Sequence, residues 1–298
     1  PPPPPPPPPP FFLHPHSGSR HSSTSRGLGD VYKRQGLALR GFRPIAEIQY
    51  LDYILYCIQI LSDDLASMSY RTLGKQIAPL IIRTRGHRLE GIWHSGSQMA
   101  AMIHLLRGIH ILTPRNMTQA AGFYNTLMQI DQPAVVVECL NGYRIKERPP
   151  VNLGEFTVPL GKIEVVVEGE DITVVSYGST LRTVEAVTKR LNQEGISIEI
   201  IDIQSLIPFD LSNEICKSIE KTNRLLIVDE DMPGGASSYI LQQLLEKQNI
   251  FELLDSAPKL LSAKAHRPAY GPDGEYLSLI HISEPTRRRG IGEWGVGL

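Results

Sequence analysis

Short, continuous apolar runs alternate along this chain with longer stretches in which apolar residues recur every three or four positions. The continuous runs are typical of buried strands, and the recurring spacing is typical of helices. Strands that alternate with helices in this way favour parallel sheets with both faces covered. The pattern therefore predicts an α/β protein made of two parallel-sheet, three-layer domains.

The first alternating series covers residues 36–140. Its strands are predicted at 43–49, 78–84, 109–113 and 133–138, and its helices at 53–68, at 97–107 and from Asn116 or Thr118 to about residue 130. Gly108 is expected to end the second helix, and Asn116 or Thr118 to cap the third.

A second series covers residues 162–276. Residues 141–161 separate it from the first with several prolines and three glycines, and are predicted to be a linker. The strands are predicted at 172–178, 197–203, 224–230 and 259–265, and the helices at 180–194, 210–222 and 236–247. Gly234-Gly235 is expected to form a tight turn before the last helix, with anion binding by its N–H groups as the alternative.

Both ends of the chain are expected to be foreign to this fold. Residues 1–10 are all proline and the following stretch is rich in Ser, His and Arg, a composition that builds no packed core. Segments 30–35 and 277–282 can be encoded by reverse-complementary DNA, and both resemble translated transposase ends from sequencing libraries. Residues 1–35 and 277–298 are therefore predicted to be artefactual or disordered, which leaves both domains truncated.

Composition excludes several classes of protein. The formal net charge of −1 gives no reason to expect nucleic acid, and no apolar run is long enough to span a membrane. Cys57, Cys139 and Cys216 are isolated, as buried thiols in a reducing compartment are, so a cytoplasmic location is expected. The sequence has no dinucleotide fingerprint, no P-loop and no nucleophile elbow. Its histidines lack metal-binding spacing, so no metal ligand is predicted.

The segment 91–97 contains the most suggestive histidine. His94 lies where a predicted strand turns back into a predicted helix. In open α/β sheets this is the edge at which ligands bind.

Several segments together, in their order and spacing, resemble the beta subunit of the E1 component of 2-oxoacid dehydrogenase complexes. The branched-chain (2-oxoisovalerate) type is the nearest, including forms in which alpha and beta are fused. The segments are 46–53, 81–83, 91–95, 113–115, 202–208 and the Gly234-Gly235 turn. The resemblance covers residues 36–276. It implies a pyrimidine-binding thiamine-diphosphate domain at 36–140 and a transketolase C-terminal domain at 162–276.

The resemblance also implies a reaction and partners. A branched-chain 2-oxo acid would be decarboxylated on thiamine diphosphate, and the acyl group would pass to a lipoyl disulfide of the E2 partner. An E1 alpha subunit or fused alpha domain would hold the diphosphate and Mg²⁺, and a second beta copy would complete the assembly. The family's activating glutamate falls before residue 36, so this chain is expected to be a fragment that is inactive alone.

Two residues match positions with roles in that family, and a third precedes one of them in sequence. Tyr53 matches the aromatic residue that borders the aminopyrimidine, with helix packing as its alternative role. His94 matches the active-site histidine, whose imidazole titrates near neutrality and can protonate a lipoyl sulfur, with a capping or core role as the alternative. Trp93 is expected to line the acyl pocket or simply to pack. Arg83 and Glu47 are expected to form an ion pair at a strand end.

Two alternative interpretations stay open. The chain could come from a related thiamine enzyme, such as a pyruvate dehydrogenase E1 beta subunit, a transketolase or a deoxyxylulose-phosphate synthase. It could also be a non-catalytic assembly subunit of the same fold. Tyr53 and His94 argue against the second alternative.

Overall fold

The computed structural model describes residues 23–87 and 97–264, which form two five-stranded sheets with helices packed against them. In chain order the strands are β1 (Ile45–Ile48), β2 (Ile81–Gly86), β3 (His110–Leu112), β4 (Ala134–Cys139), β5 (Glu164–Val167), β6 (Ile172–Ser176), β7 (Ile198–Asp202), β8 (Ser205–Ile207), β9 (Leu225–Val228) and β10 (Lys259–Leu261). The α-helices are α1 (Ser23–Ala38), α2 (Ser67–Arg71), α3 (Met99–Leu105), α4 (Met117–Leu127), α5 (Thr180–Gln193), α6 (Glu214–Thr222) and α7 (Ala236–Gln242). Short 3₁₀ and π-helical turns occupy Leu51–Tyr56, Ile60–Ala66, Leu140–Arg144, Gln243–Lys247 and Ile250–Leu253.

Each sheet is parallel except at one edge. The first has the order β1-β2-β4-β3-β8, and the second the order β10-β9-β6-β7-β5. β8 and β5 pair antiparallel with their neighbours, and the other pairs are parallel. The predicted α/β class with two parallel sheets is confirmed, and each sheet carries one additional antiparallel strand at an edge. Both strands lie in segments whose pattern did not predict a strand.

The chain changes sheets immediately after β7. Only two residues separate Asp202 from β8, and β8 pairs with β3 of the first sheet. Gln204 makes this possible with a positive φ of 57°, and its carbonyl accepts a hydrogen bond from Thr113 N at 2.8 Å. The second series therefore contributes a strand to the first sheet.

The predicted linker is packed onto α4. Val158 is buried, and Phe156 packs against the same cluster as Phe123 of α4. A Cβ on Gly122 would lie 2.6 Å from Val158 Cγ2, so glycine is required for this approach. The side-chain amide of Asn125 donates to two carbonyls of the same segment. The segment therefore covers the outer face of the first sheet as well as connecting the domains.

Helix α1 differs from the expectation for residues 1–35. It begins at Ser23, and Val31 is completely buried in the main core. This segment therefore contributes to the packed structure, because its apolar side chain faces β1 and the turns that follow. The prediction that its coding sequence is foreign concerns the gene and stays a prediction.

The helical segment after β1 is less regular than the predicted helix at 53–68. It consists of a 3₁₀ turn, a π turn and the short helix α2. Leu51 at its start packs under Gly86, where a Cβ would lie only 2.3 Å from Leu51 Cβ. Near its end, Ala66 O would lie 2.6 Å from a Cβ on Gly108, whose φ is +97°. These two close contacts fix the segment between the end of β2 and the end of α3.

One hydrophobic core joins the two domains. Ile82 and Val135 of the first sheet belong to the same buried cluster as Val175 and Ile201 of the second. None of the helices in the described ranges is long and apolar enough to cross a membrane. The two sheets are thus packed together with the ends of their parallel strands close to one another.

Candidate active site

The carboxyl ends of β1 and β2 lie side by side, because the two strands pair parallel. Tyr50 follows β1, and Arg85 is the second-to-last residue of β2. The packing of Leu51 under Gly86 brings the backbone after β1 against the end of β2. The close approach required by this glycine therefore places Tyr50 beside Arg85, at the sheet edge where ligands bind in open α/β folds.

Arg85 is held in a fixed position by one hydrogen bond and two aromatic rings. Its Nε donates to Gln49 O at 2.8 Å. Its guanidinium carbon lies 4.6 Å from the ring centroid of Tyr50 and 5.9 Å from that of Tyr143. Both distances are within the range of cation–π attraction. The guanidinium is therefore preorganised at the carboxyl edge of the first sheet.

Tyr53 contacts Tyr50, the ring nearest to this cation. It is half-buried against the core, and its ring meets that of Tyr50 edge-to-face, with centroids 5.8 Å apart and an interplanar angle of 88°. The structure thus brings the predicted cofactor-bordering residue to the same strand ends as Arg85. Whether Tyr53 contacts a cofactor stays a prediction.

The buried carboxylate of Glu138 accepts a hydrogen bond from the Tyr143 hydroxyl. Glu138 of β4 accepts hydrogen bonds from Arg83 at 3.1 Å, from Tyr124 at 2.6 Å and from Tyr143. Burial and the hydrogen bond to Glu138 raise the pKa of Tyr143 to about 12. The predicted pair of Arg83 with Glu47 is present at 3.8 Å, but Glu47 is exposed and Glu138 is the closer partner.

A second cluster lies where the two sheets meet. His87 follows β2, is 1 % exposed and has a φ of +60°. Its ring lies 4.3 Å from that of Tyr177 at an angle of 31°, and its Nε2 is 3.4 Å from Asp229 Oδ1. Tyr177 donates its hydroxyl to the same Asp229 oxygen at 2.7 Å. Asp229 thus connects the end of β2 to the ends of β6 and β9.

The neighbouring Asp231 organises the turn before α7. Its carboxylate accepts backbone hydrogen bonds from Ala100 at 3.2 Å and from Ala236 at 3.1 Å. A Cβ on Gly235 would lie 2.4 Å from Asp231 Cγ. Burial and the charge of Asp229 raise the pKa of Asp231. Gly234-Gly235 therefore forms the predicted tight turn, and this turn packs against the carboxylate of Asp231.

His94 and Trp93 lie outside the described residues, so their predicted roles stay predictions. The chain is described again from Ser97, and Ala100 is bonded to Asp231 while His87 contacts Asp229. The segment 88–96 is thus flanked on both sides by residues attached to the same pair of carboxylates. The sequence offered one signal for this arrangement, the acidic residues that follow the apolar run of β9.

An interdomain ion-pair network lies beyond β3. Arg115 bonds both Glu164 at 2.8 Å and Asp202 at 2.9 Å, and Gln119 donates to the same two carboxylates. The hydrogen bond from Arg115 lowers the pKa of Glu164, whereas complete burial raises the pKa of Asp202 to about 6. This network joins Arg115 of the segment 113–115 to Asp202 of the segment 202–208, and both segments carry the family resemblance.

Comparisons with known proteins show similarity in sequence and in fold. Residues 161–285 match the family described as Transketolase, C-terminal domain. The chain is 31% identical over 226 residues to the pyruvate dehydrogenase E1 component subunit beta of Acholeplasma laidlawii, covering 75% of this chain and 68% of that protein. It is 33% identical over 230 residues to the mitochondrial 2-oxoisovalerate dehydrogenase subunit beta of Chaetomium thermophilum, covering 74% and 48%.

Two further comparisons extend this result. The acetoin:2,6-dichlorophenolindophenol oxidoreductase subunit beta of Bacillus subtilis is 30% identical over 243 residues, covering 80% of this chain and 70% of that protein. The structure is similar to a split-gene transketolase described as an inactive beta4 tetramer, with a TM-score of 0.66 and 17% identity, over 88% of this chain and 82% of that one. That likeness concerns the fold. The relatives' names differ in substrate, so they do not distinguish the branched-chain type from the pyruvate type. The chain belongs to the family of E1 beta subunits of 2-oxoacid dehydrogenases.

Proposed function

We propose that this chain is the beta part of a thiamine-diphosphate-dependent E1 that decarboxylates a branched-chain 2-oxo acid and transfers the acyl group to lipoylated E2. The observation that carries the proposal is the extent of the family match. The similarity to three beta subunits covers 74% to 80% of this chain, and so includes parts of both domains. The branched-chain choice is supported by the segment 46–53 and by the 33% identity to a 2-oxoisovalerate dehydrogenase subunit.

The described residues fit part of a thiamine-diphosphate site. Tyr50 and Tyr53 offer aromatic surface at the carboxyl edge of the first sheet, which suits a flat heteroaromatic ring. The carboxylates of Glu47 and Glu138 both pair with Arg83 in this region. Because each of these two carboxylates already pairs with Arg83, neither is assigned to activate the cofactor. The alpha part and the family's glutamate would have to supply the rest of the site, including Mg²⁺.

The proposed chemistry assigns specific tasks to this chain. Thiamine diphosphate, when bound, supplies the electron sink for loss of CO₂. Overall, the 2-oxo acid and the lipoyl disulfide take up one proton and give CO₂, a thioester on one sulfur and a thiol on the other. His94 delivers that proton to the departing sulfur as a general acid. Tyr53 orients the ring of the cofactor.

Two other functions are distinguishable from this proposal. A pyruvate-specific E1 is favoured by the relative from Acholeplasma laidlawii, which is named a pyruvate dehydrogenase subunit. A non-catalytic assembly subunit is the alternative of a different class. The fixed cation and aromatic rings at the sheet edge favour an active site over a purely structural surface.

The test is reconstitution with an E1 alpha subunit, thiamine diphosphate and Mg²⁺ of the chain after the family's glutamate has been restored before residue 36. Decarboxylation is measured with 3-methyl-2-oxobutanoate and with pyruvate, using an artificial electron acceptor. We expect a higher kcat/KM for the branched substrate and no activity of the chain alone. A preference for pyruvate would reassign the substrate. Assembly with the alpha subunit without any turnover would support the non-catalytic alternative.

A further inference from the structure

We propose that Arg85 binds the carboxylate of the substrate and thereby selects 2-oxo acids over uncharged ketones. The inference rests on the proposed function, because it assigns a specificity-determining residue to the same site. Among the relatives, two are named for 2-oxo acids and one for acetoin, which carries no charge. The family as a whole therefore does not determine whether the substrate is an anion.

The first support for this role is the place of Arg85 in the fold. It is the second-to-last residue of β2, a strand with parallel neighbours on both sides. Its guanidinium lies near the rings of Tyr50 and Tyr143, and Tyr50 in turn contacts Tyr53. Arg85 is therefore one aromatic ring away from the residue that is proposed to border the cofactor.

The second support is the balance of charge around Arg85. Arg83, two residues earlier in β2, pairs with Glu47 at 3.8 Å and with Glu138 at 3.1 Å. Among the described residues, Arg85 makes no ion pair of its own. Its polar contact is with a neutral carbonyl, and the rings of Tyr50 and Tyr143 do not neutralise its charge. A half-buried cation that has no counter-ion among the described residues and lies at a ligand-binding edge is suited to an anionic ligand.

The third support is the geometry of the contacts that Arg85 makes. The hydrogen bond to Gln49 O uses Nε, and the guanidinium carbon lies 4.6 Å from the Tyr50 ring centroid and 5.9 Å from that of Tyr143. Within the described residues, the two terminal NH₂ groups donate no hydrogen bond and are available to a ligand. A planar fork of that kind matches a carboxylate, and its rotamer entropy is already lost before the ligand binds.

The test uses the enzyme with the family's glutamate restored, assembled with its alpha subunit, and compares Arg85→Gln with the otherwise identical enzyme that keeps Arg85, called the wild type. Turnover of 3-methyl-2-oxobutanoate and of acetoin is followed by reduction of 2,6-dichlorophenolindophenol. We expect kcat/KM for the 2-oxo acid to fall roughly 10- to 100-fold, mostly through KM, as for loss of a charged hydrogen bond. The value for acetoin should stay within about twofold, since acetoin has no carboxylate. Arg85→Lys should fall between the two, because it keeps the charge and loses the fork.

Arg71→Gln is the matched control, because Arg71 is an exposed arginine of α2 that pairs with Asp64 away from the sheet edge. It should leave both substrates unchanged. The dissociation constant for thiamine diphosphate is measured by calorimetry for every variant, and should be the same for Arg85→Gln as for the wild type. Weaker cofactor binding would assign Arg85 to the diphosphate and overturn the proposal.

The remaining outcomes separate this inference from the proposed function. Equal losses with both substrates, or no loss with either, would overturn the role of Arg85 while an active wild type upholds the function. If the wild type turned over neither substrate, the proposed function would fail. Calorimetric binding of 3-methyl-2-oxobutanoate to wild type and Arg85→Gln would then still decide whether Arg85 binds the carboxylate.

Discussion

His87 Nε2 lies 3.4 Å from Asp229 Oδ1, and both side chains are fully buried although 142 residues separate them in sequence. A carboxylate only accepts hydrogen bonds, so Nε2 is the donor in this contact. The other ring nitrogen, Nδ1, has no partner in the described part of the chain. The contact joins the end of one sheet to the end of the other beside the segment that contains His94.

Asp229→Ala should lower the free energy of unfolding of the chain by about 3 kcal/mol or more. It would leave the Tyr177 hydroxyl and the backbone N–H groups of Asp231 and Ser237 buried without an acceptor. Tyr177→Phe is the matched comparison, because it removes one donor and should cost about 1 kcal/mol. Urea unfolding measures both. A cost for Asp229→Ala no larger than that for Tyr177→Phe would show that the cluster does not hold the domains together.

Asp202 should make the stability of the chain depend on pH. Its pKa in the folded state is about 6, above its ordinary value of 3.8, so between these values the folded chain holds a proton that the unfolded chain has released. The free energy of unfolding must therefore fall as pH rises through this window, by up to about 1.4 kcal/mol per pH unit. Asp202→Asn should remove this part of the slope.

Glu164 provides the opposite control on the same arginine. Its pKa is lowered by Arg115, so its contribution is present above its ordinary value of 4.5 and is lost as pH falls through its lower folded-state pKa. Glu164→Gln should change the slope only at that acidic end. Urea unfolding at a series of pH values measures both variants. Parallel slopes for wild type and Asp202→Asn between about pH 4 and about pH 6 would refute the assignment.

Gly108→Ala should destabilise the chain more than Gly195→Ala. Both glycines have positive φ, +97° and +79°, so each substitution carries a backbone strain of about 1 kcal/mol. A Cβ on Gly108 would also lie 2.6 Å from Ala66 O, whereas nothing lies within 4 Å of one on Gly195. The difference between the two midpoints of thermal unfolding measures the contact alone. Equal shifts would mean that α3 and the turn at Ala66 move apart without cost.

Tyr53→Ala should weaken binding of thiamine diphosphate to the assembled enzyme roughly tenfold, the typical value of an aromatic contact. Tyr53→Phe keeps the ring and should bind within about twofold of wild type, since the proposed contact is with the ring face. Calorimetric titration with the cofactor measures both. Leu55→Ala, an exposed residue of the same 3₁₀ turn, is the control for local damage. Unchanged binding in Tyr53→Ala would leave Tyr53 with its packing role.

His94→Ala should spare decarboxylation more than acyl transfer in a restored full-length enzyme assembled with its alpha part. Loss of a CO₂ molecule needs no proton from His94, whereas reduction of the lipoyl disulfide needs one at the departing sulfur. Removal of a general acid typically costs about 10²–10⁴-fold on the affected step. The overall assay with E2 should fall by that order, and the assay with an artificial electron acceptor should fall less. Equal losses would place His94 earlier in the reaction, and no loss would make it a structural residue.

Much of the fold follows from local sequence. The apolar runs that became β2, β4, β6 and β7 were recognisable because a strand buried on both faces needs apolar residues throughout. Asn116 was predictable as a cap because its side chain can accept from the N–H of Gln119, as it does at 2.8 Å. The segments 46–53 and 202–208 indicated the family before any contact was known. These features depend on neighbours in the chain.

Other features depend on tertiary structure alone. β5 and β8 are short, and their pairing depends on a partner that the chain reaches only after folding. No local pattern distinguishes Arg85, which contacts two aromatic rings and has no counter-ion within residues 23–87 and 97–264, from Arg83, which pairs with Glu138. The resemblance predicts that Tyr53 borders a cofactor. The close approach of Leu51 to Gly86 brings its neighbour Tyr50 beside Arg85. Contacts between residues far apart in sequence set charge balance and burial, and these quantities determine what the edge of the sheet can bind.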